Sequence, residues 1–280
     1  MDAESFFPKR PRDVHKRSVG TLAIVGGCKR FANAPAIAAL GARAAGAGLI
    51  QVVAPEETRF ALAAHVPEAT FSPISPEAPF PEADVTAIGM GLGMCDATLA
   101  LIERVLERLN GRFVVDADAL NAISVIRPRG MSAREGLEIV MTPHEGEAAR
   151  LLGVKPQDVS ADRKAAVKEL AIRFSATAVL KGPGTLVAEP GREEVWECSC
   201  GNPFMALGGM GDLLSGMIAA RWAVLGRGGL ALSGPFCAAV SAVWLHSTAA
   251  DRLVRGDFPT EPSVVNVAGM AATTRIILER

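Results

Sequence analysis

The feature that most constrains this chain is a repeated alternation of short, continuous apolar runs with stretches of helical spacing. Apolar runs at 21–25, 49–53 and 85–88 are followed by helical patterns at 34–45, 56–64 and 97–109, and runs at 113–115 and 138–141 continue the series. Runs this short that are apolar at nearly every position read as strands buried on both faces. Helices between them supply the crossovers that parallel pairing needs. The expected fold class is therefore α/β, with a mainly parallel central sheet covered by helices on both sides.

In such a sheet, ligands bind beyond the carboxyl ends of the strands, and the unusual residues of this chain fall there. Gly26 and Gly27 follow the first run, Gly89 to Gly93 the third, Asp116 and Asp118 the fourth, and Thr142, Pro143 and His144 the fifth. The coincidence predicts one shared cleft. A further strand at 178–180 leads into Lys181-Gly182-Pro183-Gly184-Thr185, and residues 185–187 and 195–197 read as a hairpin around Pro190-Gly191. A cation, a tight turn and a hydroxyl after a strand suit a nucleotide, although no Gly-Lys-Ser/Thr heads a helix in the Walker manner. Segment 66–85 carries five prolines and little periodicity and reads as a surface connection; residues 255–262 read as a loop. Long small-residue helices are expected from Gly211, Pro235 and Ser263.

The densest signal is the stretch 201–216, Gly-Asn-Pro-Phe-Met-Ala-Leu-Gly-Gly-Met-Gly-Asp-Leu-Leu-Ser-Gly. Gly208, Gly209 and Gly211 let the backbone turn its amides inward, and the helix that begins here adds unpaired N–H groups with a partial positive charge. This makes an anion cradle with one carboxylate, Asp212, beside it. Asp212 also suits a plain helix cap, and the nearby Lys181 turn tips the reading toward a base beside a phosphate.

Other polar positions carry both structural and functional readings. Thr142 as helix cap, Pro143 at the first helical position and Glu145 three residues after the cap form a capping box; His144, at the same helix start, is read as a substrate contact. Of Asp116 and Asp118, one is expected to cap the next helix and the other to orient a hydrated magnesium ion. Gly89 to Gly93 lacks the third glycine of a dinucleotide fingerprint and reads as half turn, half pocket wall. His246 is expected to pack on a helix face.

Composition sets the limits. With 280 residues and 49% hydrophobic content the chain can bury one large core, so residues 18–280 are read as a single domain preceded by a flexible segment over 1–17. Lys plus Arg number 29 against 30 for Asp plus Glu, so no net field favours nucleic acid or an acidic membrane. The five cysteines are scattered without zinc-ligand spacing and read as reduced thiols. The charged N-terminal stretch lacks a signal-peptide core or membrane anchor, and the expected location is the cytoplasm.

Taken in order, Asp-Ala-Asp-Ala-Leu-Asn from Asp116, Thr-Pro-His-Glu-Gly-Glu from Thr142, Lys-Gly-Pro-Gly-Thr from Lys181 and Gly-Asn-Pro-Phe-Met-Ala-Leu-Gly-Gly-Met-Gly-Asp from Gly201 resemble the ADP/ATP-dependent NAD(P)H-hydrate dehydratases. Those enzymes belong to the ribokinase-like superfamily, so the resemblance implies a ribokinase-like three-layer α/β/α sandwich. The likeness extends to Gly26-Gly27, Asn33-Ala34-Pro35 and Gly46-Ala47-Gly48-Leu49.

The resemblance also implies a repair reaction, in which hydrated NADH or NADPH loses water at the expense of ADP or ATP with Mg2+. By that likeness Asp212 is the catalytic base and Gly208, Gly209, Met210 and Gly211 form the anion hole. Lys181, Gly182, Pro183, Gly184, Thr185 and Gly211 bind the nucleotide; Ala34, Gly93, His144 and Asp212 contact the hydrated coenzyme. No metal ligand is assigned. His144 stands where many ribokinase-like sugar kinases carry Asn, which favours the dehydratase version. Phe204, Met210 and Met90 depart from the usual Gly, Thr and Pro.

The family likeness and the small-residue helices imply self-association, and the few residues before the first strand place any epimerase activity on another protein. Two other readings stay open: a ribokinase-like kinase of a heterocyclic alcohol, and an adenine-nucleotide-binding protein without turnover.

Overall fold

A computed structural model of the chain describes residue 7 and residues 15–75, 80–227, 234–256 and 265–279. Its centre is a nine-stranded sheet formed by β1 (Thr21–Val25), β2 (Leu49–Ala54), β3 (Thr70–Pro73), β4 (Val85–Ile88), β5 (Gly111–Val115), β6 (Leu137–Met141), β7 (Thr177–Leu180), β8 (Leu186–Ala188) and β9 (Trp196–Glu197), in the order β3-β2-β1-β4-β5-β6-β7-β8-β9. The seven strands β1 to β7 pair in parallel; β8 and β9 turn back antiparallel. The order reverses at β1, whose neighbours are β2 and β4, and reversals of this kind open a crevice at the carboxyl edge of a sheet.

Two apolar layers sandwich the sheet. One face, through residues such as Leu22, Ile24, Val52, Val114 and Val179, packs on α1 (Ala34–Ala44), α8 (Met210–Arg227), α9 (Pro235–Arg255) and α10 (Val267–Glu279), with α2 (Thr58–His65) beside α1. The other, through Val25, Ile88, Val115, Met141 and Leu180, packs on α3 (Asp96–Arg108), α4 (Asp118–Ile126), α5 (Glu145–Leu152) and α7 (Arg163–Phe174), with α6 (Pro156–Ala161) beside them. Neighbouring residues such as Val140 and Met141 serve opposite layers. That is why these strands read as continuous apolar runs.

Most element positions agree with the sequence reading, and the hairpin of β8 and β9 forms as expected. Segment 66–85 does not: it contains β3, which extends the sheet as a parallel edge strand through Gln51↔Thr70 and Val52↔Phe71. None of its four residues is buried and its last is proline, so it lacks the apolar run that marks an interior strand. The third small-residue helix runs from Val267; Ser263 and residues 257–262 of the expected loop lie outside the described residues. So do residues 1–6 and 8–14 of the expected N-terminal segment; Phe7 packs on Trp244 with ring centroids 5.3 Å apart.

The helix that carries the glycine-rich stretch is set by backbone contact. A Cβ at Gly216 of α8 would lie 1.9 Å from the Ala38 carbonyl oxygen of α1, and one at Gly41 of α1 would lie 2.1 Å from the Leu213 carbonyl oxygen of α8. Each helix therefore supplies a glycine where the other's backbone passes, and the first turn of α8 is held at the sheet edge. Gly216→Ala is expected to force the pair apart at a cost of about 1–3 kcal/mol, read as a fall of several degrees in thermal midpoint by calorimetry.

Candidate active site

The carboxyl ends of β5, β6 and β7 deliver Asp116, Thr142 and Lys181 to one point beneath the start of α8. The Lys181 ammonium lies 2.7 Å from Asp116 Oδ1 and 3.9 Å from Glu147 Oε2. Asp116 Oδ2 accepts from Ser215 Oγ of α8 at 2.7 Å, and Oδ1 also accepts the Ala117 amide at 2.9 Å. Ala117 has a left-handed φ of 51°, a conformation that costs a non-glycine residue energy and is held only where neighbours enforce it.

Charge balance in this cluster follows from burial and pairing. Burial alone would raise the Asp116 carboxyl, but the Lys181 charge and hydrogen bonds from Lys181, Ser215 and Thr142 outweigh it and hold its pKa below the usual range. Burial alone would lower the Lys181 ammonium; Asp116, Glu147 and Asp212 reverse this and raise it. Glu147 is raised by burial, with Asp116 adding to the effect against the pull of Lys181.

Asp212, in the first turn of α8, is pushed up to about 7 by burial first, then by the negative charge of Asp116, with Asp118 and Glu147 adding to it against Lys181. A carboxyl titrating near neutrality is suited to accept a proton at working pH.

Around Asp212 the backbone leaves donors unpaired. Leu213 N–H donates to the Gly209 carbonyl at 2.9 Å and closes the first helical bond. The amides of Gly208, Gly209, Gly211 and Asp212 have no partner among the described residues, whereas that of Met210 donates to the Leu207 carbonyl over 3.4 Å. A Cβ at Gly211 would stand 3.3 Å from Lys181 Nζ, so the ammonium lies directly against this turn. Unpaired amides at a helix start with a cation beneath them favour negative charge at this point. Of the three departures noted in the sequence, Met210 and Met90 are buried in the core, and Phe204 is 66% exposed rather than filling the loop's interior.

Two capping expectations are corrected. The cap of α5 is His144, not Thr142: its Nδ1 accepts from the Gly146 and Glu147 amides at 3.0 and 3.3 Å, and Glu147 returns the bond to the His144 amide at 2.8 Å. Sheet pairing runs past Met141, with Thr142 N–H on the Val115 carbonyl and the Pro143 carbonyl accepting from Lys181 N–H, so the helix starts two residues later. The His144 side chain stays 55% exposed at the carboxyl edge. Neither Asp116 nor Asp118 caps α4; Asp118 Oδ2 accepts the Gly93 amide at 2.7 Å instead and ties the β4 turn to α4.

Ala34 and Gly93 lie on the same rim. Gly91 packs against Phe31 and Ala34, Gly93 against Cys28, and the Gly27 amide donates to the Met90 carbonyl at 2.8 Å. The Lys181–Thr185 turn is grasped by Arg163 of α7, a residue the sequence reading passed over. Ser215 was missed too, its spacing of three residues from Asp212 being the available signal, whereas Glu147 was quoted as the last residue of the Thr-Pro-His-Glu-Gly-Glu motif without a role of its own. His246 lies buried within α9, lowered to about 4 by burial and then the Lys181 charge, and is neutral at pH 7. All five cysteines are free thiols.

Over residues 22–264 the sequence matches the NAD(P)H-hydrate dehydratase family. The chain belongs to that family. It is 38% identical over 248 residues to the ADP-dependent (S)-NAD(P)H-hydrate dehydratase of Neisseria meningitidis, covering 88% of this chain and 81% of that protein. It is also 38% identical to the bifunctional NAD(P)H-hydrate repair enzyme of Coxiella burnetii, over 88% of this chain but only 48% of the longer relative, so it spans about half the length of that protein.

The solved ADP/ATP-dependent NAD(P)H-hydrate dehydratase of Bacillus subtilis, co-crystallised with ATP and Mg2+, superposes with a TM-score of 0.84 at 26% identity, covering 100% of this chain and 97% of that one. The ribokinase-like architecture expected from the sequence is thereby established.

Within this family member, the Lys181 and Asp116 pair is the buried charge on which the site rests. Asp116→Ala leaves the ammonium enclosed without its carboxylate, and removing one partner of such a pair costs about 3–5 kcal/mol. The expected outcome is a lower urea midpoint than wild type, with Asp116→Asn less severe.

Proposed function

We propose that the protein restores NADH or NADPH from its hydrated form by spending ADP or ATP, with Asp212 as the base. The observation that carries this is the Asp212 carboxyl itself. It is raised to about 7, sits beside unpaired amides and stands over a buried ammonium. Family membership supports the substrate, and the nucleotide follows from the names of the Neisseria and Bacillus relatives.

Hydroxide is a poor leaving group, so the ring hydroxyl must first be converted into a better one. Asp212 takes the hydroxyl proton while the oxygen bonds to the terminal phosphorus of the nucleotide and the bond to the bridging oxygen breaks. The amides of Gly208, Gly209 and Gly211 hold the transferring phosphoryl group, whose charge develops where the α8 dipole points. The ring nitrogen lone pair then expels inorganic phosphate, and loss of a proton from the adjacent ring carbon restores the dihydronicotinamide. Lys181 and the turn through Thr185 line the nucleotide; Ala34, Gly93 and His144 contact the hydrated coenzyme.

The donor set fits a magnesium ion that arrives with the nucleotide. Both Asp116 oxygens are already engaged, and among the described residues no three or more His, Cys, Asp or Glu side chains are grouped to hold a metal. Phosphate oxygens and water would hold the ion, with Asp118 at the same sheet edge to orient its water, and it would supply charge neutralisation on the phosphates.

A cytoplasmic, self-associating protein of one domain over residues 18–280 completes the proposal. Among the described residues no helix is long and apolar enough to cross a membrane.

The test is recovery of dihydronicotinamide absorbance from NADH hydrate with Mg2+ and ADP or ATP, with released phosphate followed in parallel. Equal recovery and phosphate release are expected; a phosphorylated product without phosphate release would assign a kinase instead. Because the base must be ionised and its pKa is raised, kcat/KM should rise with pH, reach half its plateau near pH 7 and be lost below it. Asp212→Asn should cut turnover by about 10²–10⁴ while leaving nucleotide affinity within a few-fold. Wild-type turnover in that variant would remove Asp212 from the mechanism.

A further inference from the structure

The turn from Lys181 to Thr185 is built around a guanidinium from another element. Arg163, first residue of α7, donates through Nη2 to the Leu180 and Lys181 carbonyls, both at 3.3 Å, and through Nη1 to the Pro183 carbonyl and, at 3.2 Å, to that of Gly184. Its Nε lies 3.2 Å from Glu145 Oε1, one residue after His144, and Glu145 Oε2 accepts from Ser160 Oγ at 2.7 Å. A Cβ at Gly182 would stand 2.8 Å from Nη2, so the bare glycine is what lets the guanidinium approach.

The consequence follows from peptide planarity. In a trans peptide the carbonyl of one residue and the N–H of the next point in opposite directions, and no peptide bond among the described residues is cis. With the carbonyls of Lys181, Pro183 and Gly184 drawn to Arg163, the amides of Gly182, Gly184 and Thr185 face away from it. Two remaining groups are accounted for: Lys181 N–H donates to the Pro143 carbonyl, and the Gly182 carbonyl accepts from Thr185 Oγ1 at 3.0 Å. The three outward amides have no partner among the described residues. They form a row of donors polarised by a cation bound to the far end of each peptide unit, a concavity suited to oxygen atoms of an anionic or polar ligand.

We infer that Arg163 is the positioning residue of the nucleotide site, turning the Gly182, Gly184 and Thr185 amides toward the bound nucleotide and, through Glu145, tying that turn to the His144 helix start. The inference rests on the proposed nucleotide-dependent reaction. Lysine cannot replace it, because a single ammonium lacks the planar fork that spans four carbonyls and a carboxylate.

The experiment measures ADP and ATP affinity by calorimetry on wild type, Arg163→Lys, Arg163→Ala and the exposed control Lys168→Ala, then nucleotide KM and kcat with NADH hydrate. Both Arg163 variants should weaken nucleotide binding at least tenfold and raise KM by a like factor, with kcat at saturating nucleotide within about threefold. Millimolar guanidinium should restore part of the affinity of Arg163→Ala and none to Arg163→Lys. Lys168→Ala should match wild type.

Unchanged nucleotide affinity in Arg163→Lys, with only the thermal midpoint lowered, would make Arg163 a purely structural clasp and overturn the inference. If wild type itself binds neither nucleotide, the functional reading fails first. Should Arg163→Ala not fold, Arg163→Lys alone decides.

Discussion

The site depends on one buried contact, the ammonium of Lys181 against the carboxylate of Asp116. Each group comes from a different strand end, and neither is tolerable there without the other, since a lone charge in this setting carries a desolvation penalty of several kcal/mol. The pair is then shared outward. Ser215 connects it to α8, Glu147 to α5, and the Ala117 amide fixes the first turn after β5. A single carboxylate thereby sets the relative positions of the strands and helices that meet at the carboxyl edge.

That contact also sets the chemistry of Asp212. With Asp116 already ionised and spoken for by Lys181, a second carboxylate a short way above it meets low polarity and like charge together, and its proton is retained to about pH 7. Two aspartates near one lysine thus part company, one held as a permanent anion and the other as a group that exchanges its proton. The backbone contact between α1 and α8 makes the division durable, because glycines at 41 and 216 leave the first turn of α8 little room to drift from the ammonium.

A second cation organises the neighbouring turn by a different route. Arg163 acts on peptide units rather than on side chains, and the carbonyls it gathers decide where the amides point. Helix dipole, buried ammonium and oriented amides then all favour negative charge along one edge, in a protein whose Lys plus Arg and Asp plus Glu differ by one. The positive field is local, made by geometry and not by composition.

Much of this was legible in the chain itself. Apolar runs of three to five residues identified the interior strands, and the glycine pattern before Asp212 marked a helix start whose amides stay unpaired, because both features arise from constraints acting on neighbouring residues. The edge strand β3 escaped, since an exposed strand needs no apolar run. The helix cap moved from Thr142 to His144 because sheet hydrogen bonds from β5 and β7 claimed the earlier residues, and those partners are 27 and 38 residues away. Arg163 carried no sequence signal of its role; its carbonyl partners begin 17 residues on. The sequence by itself determined the interior strands, their crossovers and the glycine-rich start of α8. Only the tertiary structure decided which charges pair, which carboxylate keeps its proton and which amides stay free, because those depend on burial and on contacts between residues distant in the chain.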